Sequence, residues 1–205
     1  MNKLSSAVLV AGAGLALSAC AASKPVPAPP PPTVSVSSSQ TPTGGAIEET
    51  VTVTAAVQAI DVAKRQVTLK GPDGDLVTIK VSDDVKNLAQ VKKGDLVTAA
   101  FYESIAYELK KKGTAEPGIA EAADAERAPL GARPGAVGGA AVAVTATITS
   151  IDKKTNTVTL KGPEGNLVKV KVKDPSRIEK VKVGDLVEIT YTEAVAISVE
   201  KAPEN

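Results

Sequence analysis

The 205-residue sequence contains no histidine and no tryptophan, a single cysteine (Cys20) and no methionine beyond the initiator. Each absence removes a class of chemistry. Without imidazole the chain lacks the side chain that ordinarily titrates near neutral pH, so it has no Ser-His or Cys-His pair for nucleophilic catalysis. Without imidazole, thioether or a second thiol it lacks the donor set of a soft transition-metal site. Aromatic residues make up only 2% of the chain, namely Phe101, Tyr102, Tyr107 and Tyr191. Single-stranded nucleic acid is held by stacked aromatics in a basic groove, and the chain is poor in the first and has no excess of charge for the second. Its 24 basic residues nearly balance 23 acidic ones, so no strong field draws it to nucleic acid or to an anionic lipid surface.

What is present is valine, isoleucine, leucine and alanine, arranged twice. Val67-Thr-Leu-Lys-Gly-Pro-Asp-Gly74 returns as Val158-Thr-Leu-Lys-Gly-Pro-Glu-Gly165, inside a larger repeat. Val51–Ile60 matches Val142–Ile151, Gly94-Asp95 matches Gly184-Asp185, and Phe101-Tyr-Glu-Ser-Ile-Ala106 matches Tyr191-Thr-Glu-Ala-Val-Ala196. An internal repeat marks one structural unit used twice. In the first unit Val51, Val53, Ala55 and Val57 alternate with mostly polar neighbours, the period of a half-buried strand. Ile60 has the opposite parity, which a bulge near Ala59 would correct. Gln66–Lys70 reads as a second strand with Val67 and Leu69 inward. Gly71-Pro-Asp-Gly74 is a turn in which proline presets one corner and glycine frees the exit. Leu76–Val81 reads as a third strand with Val77, Ile79 and Val81 inward.

Alternation then stops. Asp83 or Asp84 is placed to cap a short helix carrying Val85, Leu88 and Ala89. After the Lys93-Gly-Asp95 turn come two strands, Leu96–Tyr102 and Ser104–Lys110, bent or broken near Glu103. The second unit follows the same plan, with Val168, Val170 and Val172 inward and a helix at Pro175–Lys180 opened by Asp174. The order β-β-β-α-β-β is that of the OB-fold, a five-stranded Greek-key barrel. The expected fold is therefore all-β: two tandem small OB-like barrels, at 49–112 and 140–201, each with one short helix. An SH3-like barrel is the alternative, and the helix between strands three and four argues against it. Residues 113–139 are expected to be an Ala/Pro/Gly-rich linker in which Pro117–Ala128 has helix-compatible composition.

The N-terminus carries an address. Met1-Asn-Lys3 is a positive n-region, Leu4–Leu17 is an apolar core, and small residues follow, which is the plan of a secretion signal. Leu17-Ser-Ala-Cys20 resembles the lipobox of bacterial lipoproteins. That resemblance implies removal of residues 1–19 and lipidation of Cys20, with several acyl chains each contributing about 0.8 kcal/mol per buried CH₂. Ala21 and Ala22 follow the cysteine where many inner-membrane lipoproteins carry aspartate, so the resemblance implies an outer-membrane lipoprotein facing the periplasm. Removing the leader, whose only charge is Lys3, leaves a near-neutral chain. Residues 20–48, rich in proline and serine, are expected to be a tether, and 202–205 a tail.

The candidate chemistry is thin. Asp73 with Asp75, and Asp83 with Asp84, are close in sequence, but the second unit has Glu164 with Asn166 and Lys173 with Asp174, so the copies share no cage for a hard ion. Paired carboxylates for acid–base work would have to be Glu103 and Glu193, which occupy equivalent places. No Gly-x-Ser-x-Gly elbow and no phosphate-cradling loop is present. The candidate binding surface is Tyr102, Glu103, Tyr107 and Glu193; no catalytic residue, metal ligand or cofactor is assigned.

The repeated module resembles the repeats of uncharacterised Gram-negative bacterial lipoproteins, a likeness that implies location and fold but no activity. More distantly its layout is similar to periplasmic CusF-like domains, whose copper site uses His, Met and Trp; none of those is available here. The resulting expectation is a non-enzymatic, membrane-anchored envelope lipoprotein that binds an envelope protein or polymer or serves a structural role. A periplasmic metal or small-ligand carrier and a carboxylate-based enzyme are the alternatives.

Overall fold

The computed structural model describes residues 28–202. The expected leader, the expected lipidation site at Cys20 and the last residues of the expected tail lie outside the described residues. The described residues are all-β, and their ten strands form one antiparallel sheet. In chain order they are β1 (Thr33–Gln40), β2 (Gly44–Asp61), β3 (Gln66–Lys70), β4 (Leu76–Lys80), β5 (Leu96–Lys110), β6 (Gly118–Arg127), β7 (Gly135–Asp152), β8 (Thr157–Lys161), β9 (Leu167–Lys171) and β10 (Leu186–Glu200). A 3-10 turn, Leu88–Gln90, precedes β5, and a short helix, α1 (Pro175–Ile178), precedes β10.

The turns are set by local chemistry. In Gly71-Pro-Asp-Gly74 the Gly74 N–H donates to the Gly71 carbonyl at 3.1 Å, and Gly74 sits at φ 90°, a left-handed value that costs glycine nothing. Gly165 repeats that angle. Asp95 accepts from the Lys92 N–H at 2.9 Å and closes its own turn, and Asp185 does the same with Lys182 at 3.0 Å. β2 pairs with β3 through a register shift between Val57 and Ala59, and β7 repeats the shift between Ile148 and Ser150. That is the bulge expected near Ala59, and it returns Ile60 to the core side.

The expected separation of Leu96–Tyr102 from Ser104–Lys110 does not occur. They are one continuous strand, β5, and their equivalents are one strand, β10. A hairpin at Glu103 would have laid Ser104–Lys110 back beside Leu96–Tyr102. Instead the place beside Leu96–Tyr102 is taken by residues 194–200 of the other repeat, with Leu96 opposite Glu200 and Tyr102 opposite Ala194. Residues 104–110 lie in turn beside 186–192. Each repeat's final segment thus lies beside the preceding segment of the other repeat, an exchange of partners across the sheet. β5 and β10 pair along their whole length about an internal twofold that passes through Glu103 and Glu193, which face each other.

Two hydrophobic cores follow from this exchange. The first gathers Val57, Val67, Leu88 and Val91 with Val199 from the last strand of the chain. The second gathers Ile148, Val158, Leu160 and Ile178, with Tyr107 and Leu109 of β5 packed against it. Each core is thus completed by the other repeat. The inward placement expected for Val77, Ile79, Val168 and Val170 is corrected: all four are exposed. β4 and β9 are the outer strands of the sheet and pair only with β3 and β8, so nothing packs across their faces. Val81 and Val172, one position further on, do reach the cores.

Two strands arise where none was expected. β1 lies within the expected tether and pairs with the first half of β2, and β6 lies within the expected linker and pairs with β7. The helix-compatible Ala/Glu stretch after Pro117 is therefore a strand. Alanine and glutamate favour helix by only a few tenths of a kcal/mol per residue, and the open ladder edge of β7 offers a hydrogen-bond partner along its length. The first repeat's expected helix is reduced to the 3-10 turn, and no side chain caps it. Asp83 and Asp84 instead pair with Arg65 and Arg127. In the second repeat Asp174 does cap, accepting from the Ser176 N–H at 3.0 Å.

Candidate functional site

Strand parity divides the central sheet, β1-β2-β5-β10-β7-β6, into two unlike faces. On β5, Val97, Ala99, Phe101, Glu103, Ile105, Tyr107 and Leu109 share one face. Register places Val51, Ile47 and Glu49 of β2, and Val195, Ile197 and Glu193 of β10, on that same face. The opposite face is small and polar, with Thr50, Thr98, Ser104 and Thr192 among alanines, and it carries an ion pair between Lys110 and Glu188 at 2.8 Å.

The apolar face is covered only at its ends. Val97 and Val199 belong to the first core, Tyr107 and Leu109 to the second. Between them Phe101 (39% exposed), Ile105 (57%), Val195 (42%) and Ile47 (61%) stand open. A groove of about 270 Å³ runs beside Val195 and Ile197, walled by the Asp84–Asn87 loop and by the end of β6. A second trough of about 360 Å³ lies over β6, β7 and β10; its floor of Gly139, Ala141 and Ala194 offers little chemistry.

Three glutamates cross the middle of the apolar face. Glu49 is paired directly with Glu103, and Glu103 with Glu193. Directly opposed residues have Cβ atoms about 5 Å apart, and like charges there are destabilising. Among the described residues none of the three enters an ion pair. Two of them share a phenol: the Tyr191 hydroxyl donates to Glu103 at 2.9 Å and approaches Glu193 at 3.4 Å. The bond to Glu103, with the negative charges around it, pushes the Tyr191 phenol up to about 12. No grouping of three or more acidic residues among the described residues could hold a metal ion.

The residues singled out from sequence fall in different places. Glu103 and Glu193 come together on the twofold. Tyr102 points to the opposite, polar face, because it is the immediate neighbour of Glu103 on one strand; Tyr102 and Tyr107 are on the same strand, not on neighbouring ones. Tyr107 shares the face of Glu103 but is committed to structure. Its hydroxyl receives the Arg177 guanidinium at 2.6 Å, and that guanidinium lies 5.8 Å from the ring centroid and also donates to the Gly44 carbonyl at 3.0 Å. Tyr191 and Glu49 were missed. Tyr191 is visible in the repeat, as the partner of Phe101 two positions before the repeated glutamate; Glu49 falls inside the expected first barrel but ahead of its first expected strand, so it carries no signal.

An open, internally duplicated antiparallel sheet with one bare apolar face defines the class of architecture. No family model, curated protein or solved structure matches the chain.

Proposed function

We propose that the chain is a non-enzymatic binding or structural module, held at the periplasmic side of the outer membrane by a lipidated Cys20. The observation that carries the binding part is the bare middle of the apolar sheet face. Monomeric proteins rarely leave contiguous apolar patches beyond a few hundred Å² open unless something docks there. The lipobox-like Leu17-Ser-Ala-Cys20 supports the location. The same reading takes each repeat as an OB-like unit whose last strand has been exchanged with the other; the pairing of Leu96–Tyr102 with residues 194–200 supports it.

Cell fractionation tests the anchor. Cys20→Ala is expected to move the protein from the membrane fraction to the soluble one, and retention in the membrane would remove the anchor. The non-enzymatic reading would be overturned by a turnover of purified protein that Glu103→Gln or Glu193→Gln abolishes.

A further inference from the structure

The middle of the apolar face has the dimensions of a protein interface. All six central strands span it, since β1 reaches β5 through residues 45–52 of β2 and β6 reaches β10 through residues 136–145 of β7. Six strands at about 4.8 Å, by the length of Ala99–Ile105 at about 3.4 Å per residue, give roughly 700 Å². A partner covering it would bury about 1,400 Å² in total, within the range of stable, specific complexes.

The glutamate row decides what the partner is. A second copy of this chain, laid face to face, would set one row of carboxylates on another in a desolvated centre, which opposes association. A lipid surface would strip water from the same carboxylates and return no hydrogen bond. A protein surface that is apolar and carries lysine or arginine at its centre matches on both counts. The cation would replace the missing counter-charge of Glu49, Glu103 and Glu193, and its apolar neighbours would cover Phe101, Ile105 and Val195. Tyr191 adds a fixed donor, so the Glu103 carboxylate, with Glu193 beside it, is already oriented before the partner arrives.

We propose that this face, centred on Glu103 and Glu193, is the docking surface for an apolar segment of another envelope protein bearing a central basic residue. The proposal rests on the binding-module reading and gives it a surface and a partner chemistry. The row also serves the unbound protein, because charge at the centre of an exposed apolar sheet face blocks self-association.

Two measurements test it. In vitro, the full chain is titrated with a short synthetic peptide of alternating valine and threonine with one central lysine, and with the same peptide carrying glutamate instead. The lysine peptide is expected to bind roughly tenfold tighter, and Glu103→Lys with Glu193→Lys is expected to reverse the preference while circular dichroism stays that of the wild type. Equal binding of the two peptides, or binding of neither, overturns the proposal. In cells, a photoreactive phenylalanine analogue is placed at Ile105, and for control at Thr192 on the polar face. Crosslinks from Ile105 to an apolar peptide containing lysine or arginine support the proposal. Crosslinks to a second copy or to lipid overturn it. Capture from Thr192 alone overturns the surface while leaving the binding-module reading in place; capture from neither position counts against both.

Discussion

Val199 is the sharpest probe of the exchanged strands. It lies near the end of β10, within the second repeat, yet only 8% of it is exposed and it packs against Val57, Val67, Leu88 and Val91 of the first. Val199→Ala removes two methyl groups, each worth about 0.8 kcal/mol when buried, or about 1.6 kcal/mol before any cavity is counted. A loss of 1.6 kcal/mol is roughly a fifteenfold gain in the open population. Hydrogen exchange with mass spectrometry reads that gain by segment, because small regions open with their own free energies. Exchange should quicken about fifteenfold in β3, residues 66–70, which lines the first core. β8, residues 157–161, lies in the same repeat as Val199 and should be nearly unaffected. Methyl NMR gives an independent view: Val57 and Val67 should shift, and Ile148 should not. Two separately closed barrels would give the reverse, since Val199 would then belong to the core of Val158 and Leu160. Loss of protection in β8 with β3 unchanged would refute the strand exchange.

Arg177→Met should free the first repeat's edge at a distance. Its side chain is 14% exposed and donates to the Gly44 carbonyl, to the Tyr107 hydroxyl and to Gln40 Oε1 at 2.9 Å; loss of charged hydrogen bonds of this kind costs about 2 kcal/mol, seen as faster exchange in β1 and a lower denaturation midpoint. Asp185 is held below the usual carboxylate range although burial works to raise it, because the N–H groups of Lys182 and Lys112 and the Lys111 ammonium favour its charge. A lowered folded pKa gives stability that is present above the unfolded value and lost as pH falls through the folded one. Thermal melts of Asp185→Asn should therefore lie below wild type at neutral pH, with the gap closing below about pH 4; a gap that persists at the acid end would contradict the charge argument. Tyr191 should give its phenolate absorbance only near pH 12, and in Glu103→Gln it should return toward the ordinary value of about 10. Its raised pKa makes a contribution complete below about pH 10 and lost as pH rises through about 12.

Much of the fold is legible in the residues that make turns and cores. The proline-set turns, the turns at Asp95 and Asp185, the bulge at Ala59 and the inward Val67 and Leu69 all follow from local chemistry or parity. The edge strands β1 and β6 do not. Thr33–Gln40 is serine-rich and Gly118–Arg127 is alanine- and acid-rich, so their strand character comes from the ladders of β2 and β7 rather than from their own propensity. Glu103 misleads for a different reason. The alternation from Val97 to Leu109 passes through it unbroken, but a carboxylate at an apolar position reads as a strand's end when that face is assumed to be buried. Nor could parity choose the neighbour of Leu96–Tyr102. Residues 104–110 and 194–200 are equivalent segments of a repeat, and either satisfies the same ladder. That choice also hid the candidate site, since the glutamate row exists only when β5 and β10 run straight and side by side.

Gly44 shows how closely β2 and β5 are fitted: a Cβ there would stand 2.5 Å from the Tyr107 carbonyl oxygen. The exchange has a further consequence in time. Leu96 has Ala56 of β2 on one side, but its other neighbour is Glu200, and the first core closes only over Val199. A chain emerging from its N-terminus cannot finish its first half early and then add the second. Pairings of such long sequence separation are slow to form, so β10, made after every strand it joins, acts as the latch on the sheet, and truncating it should undo the first repeat as much as the second.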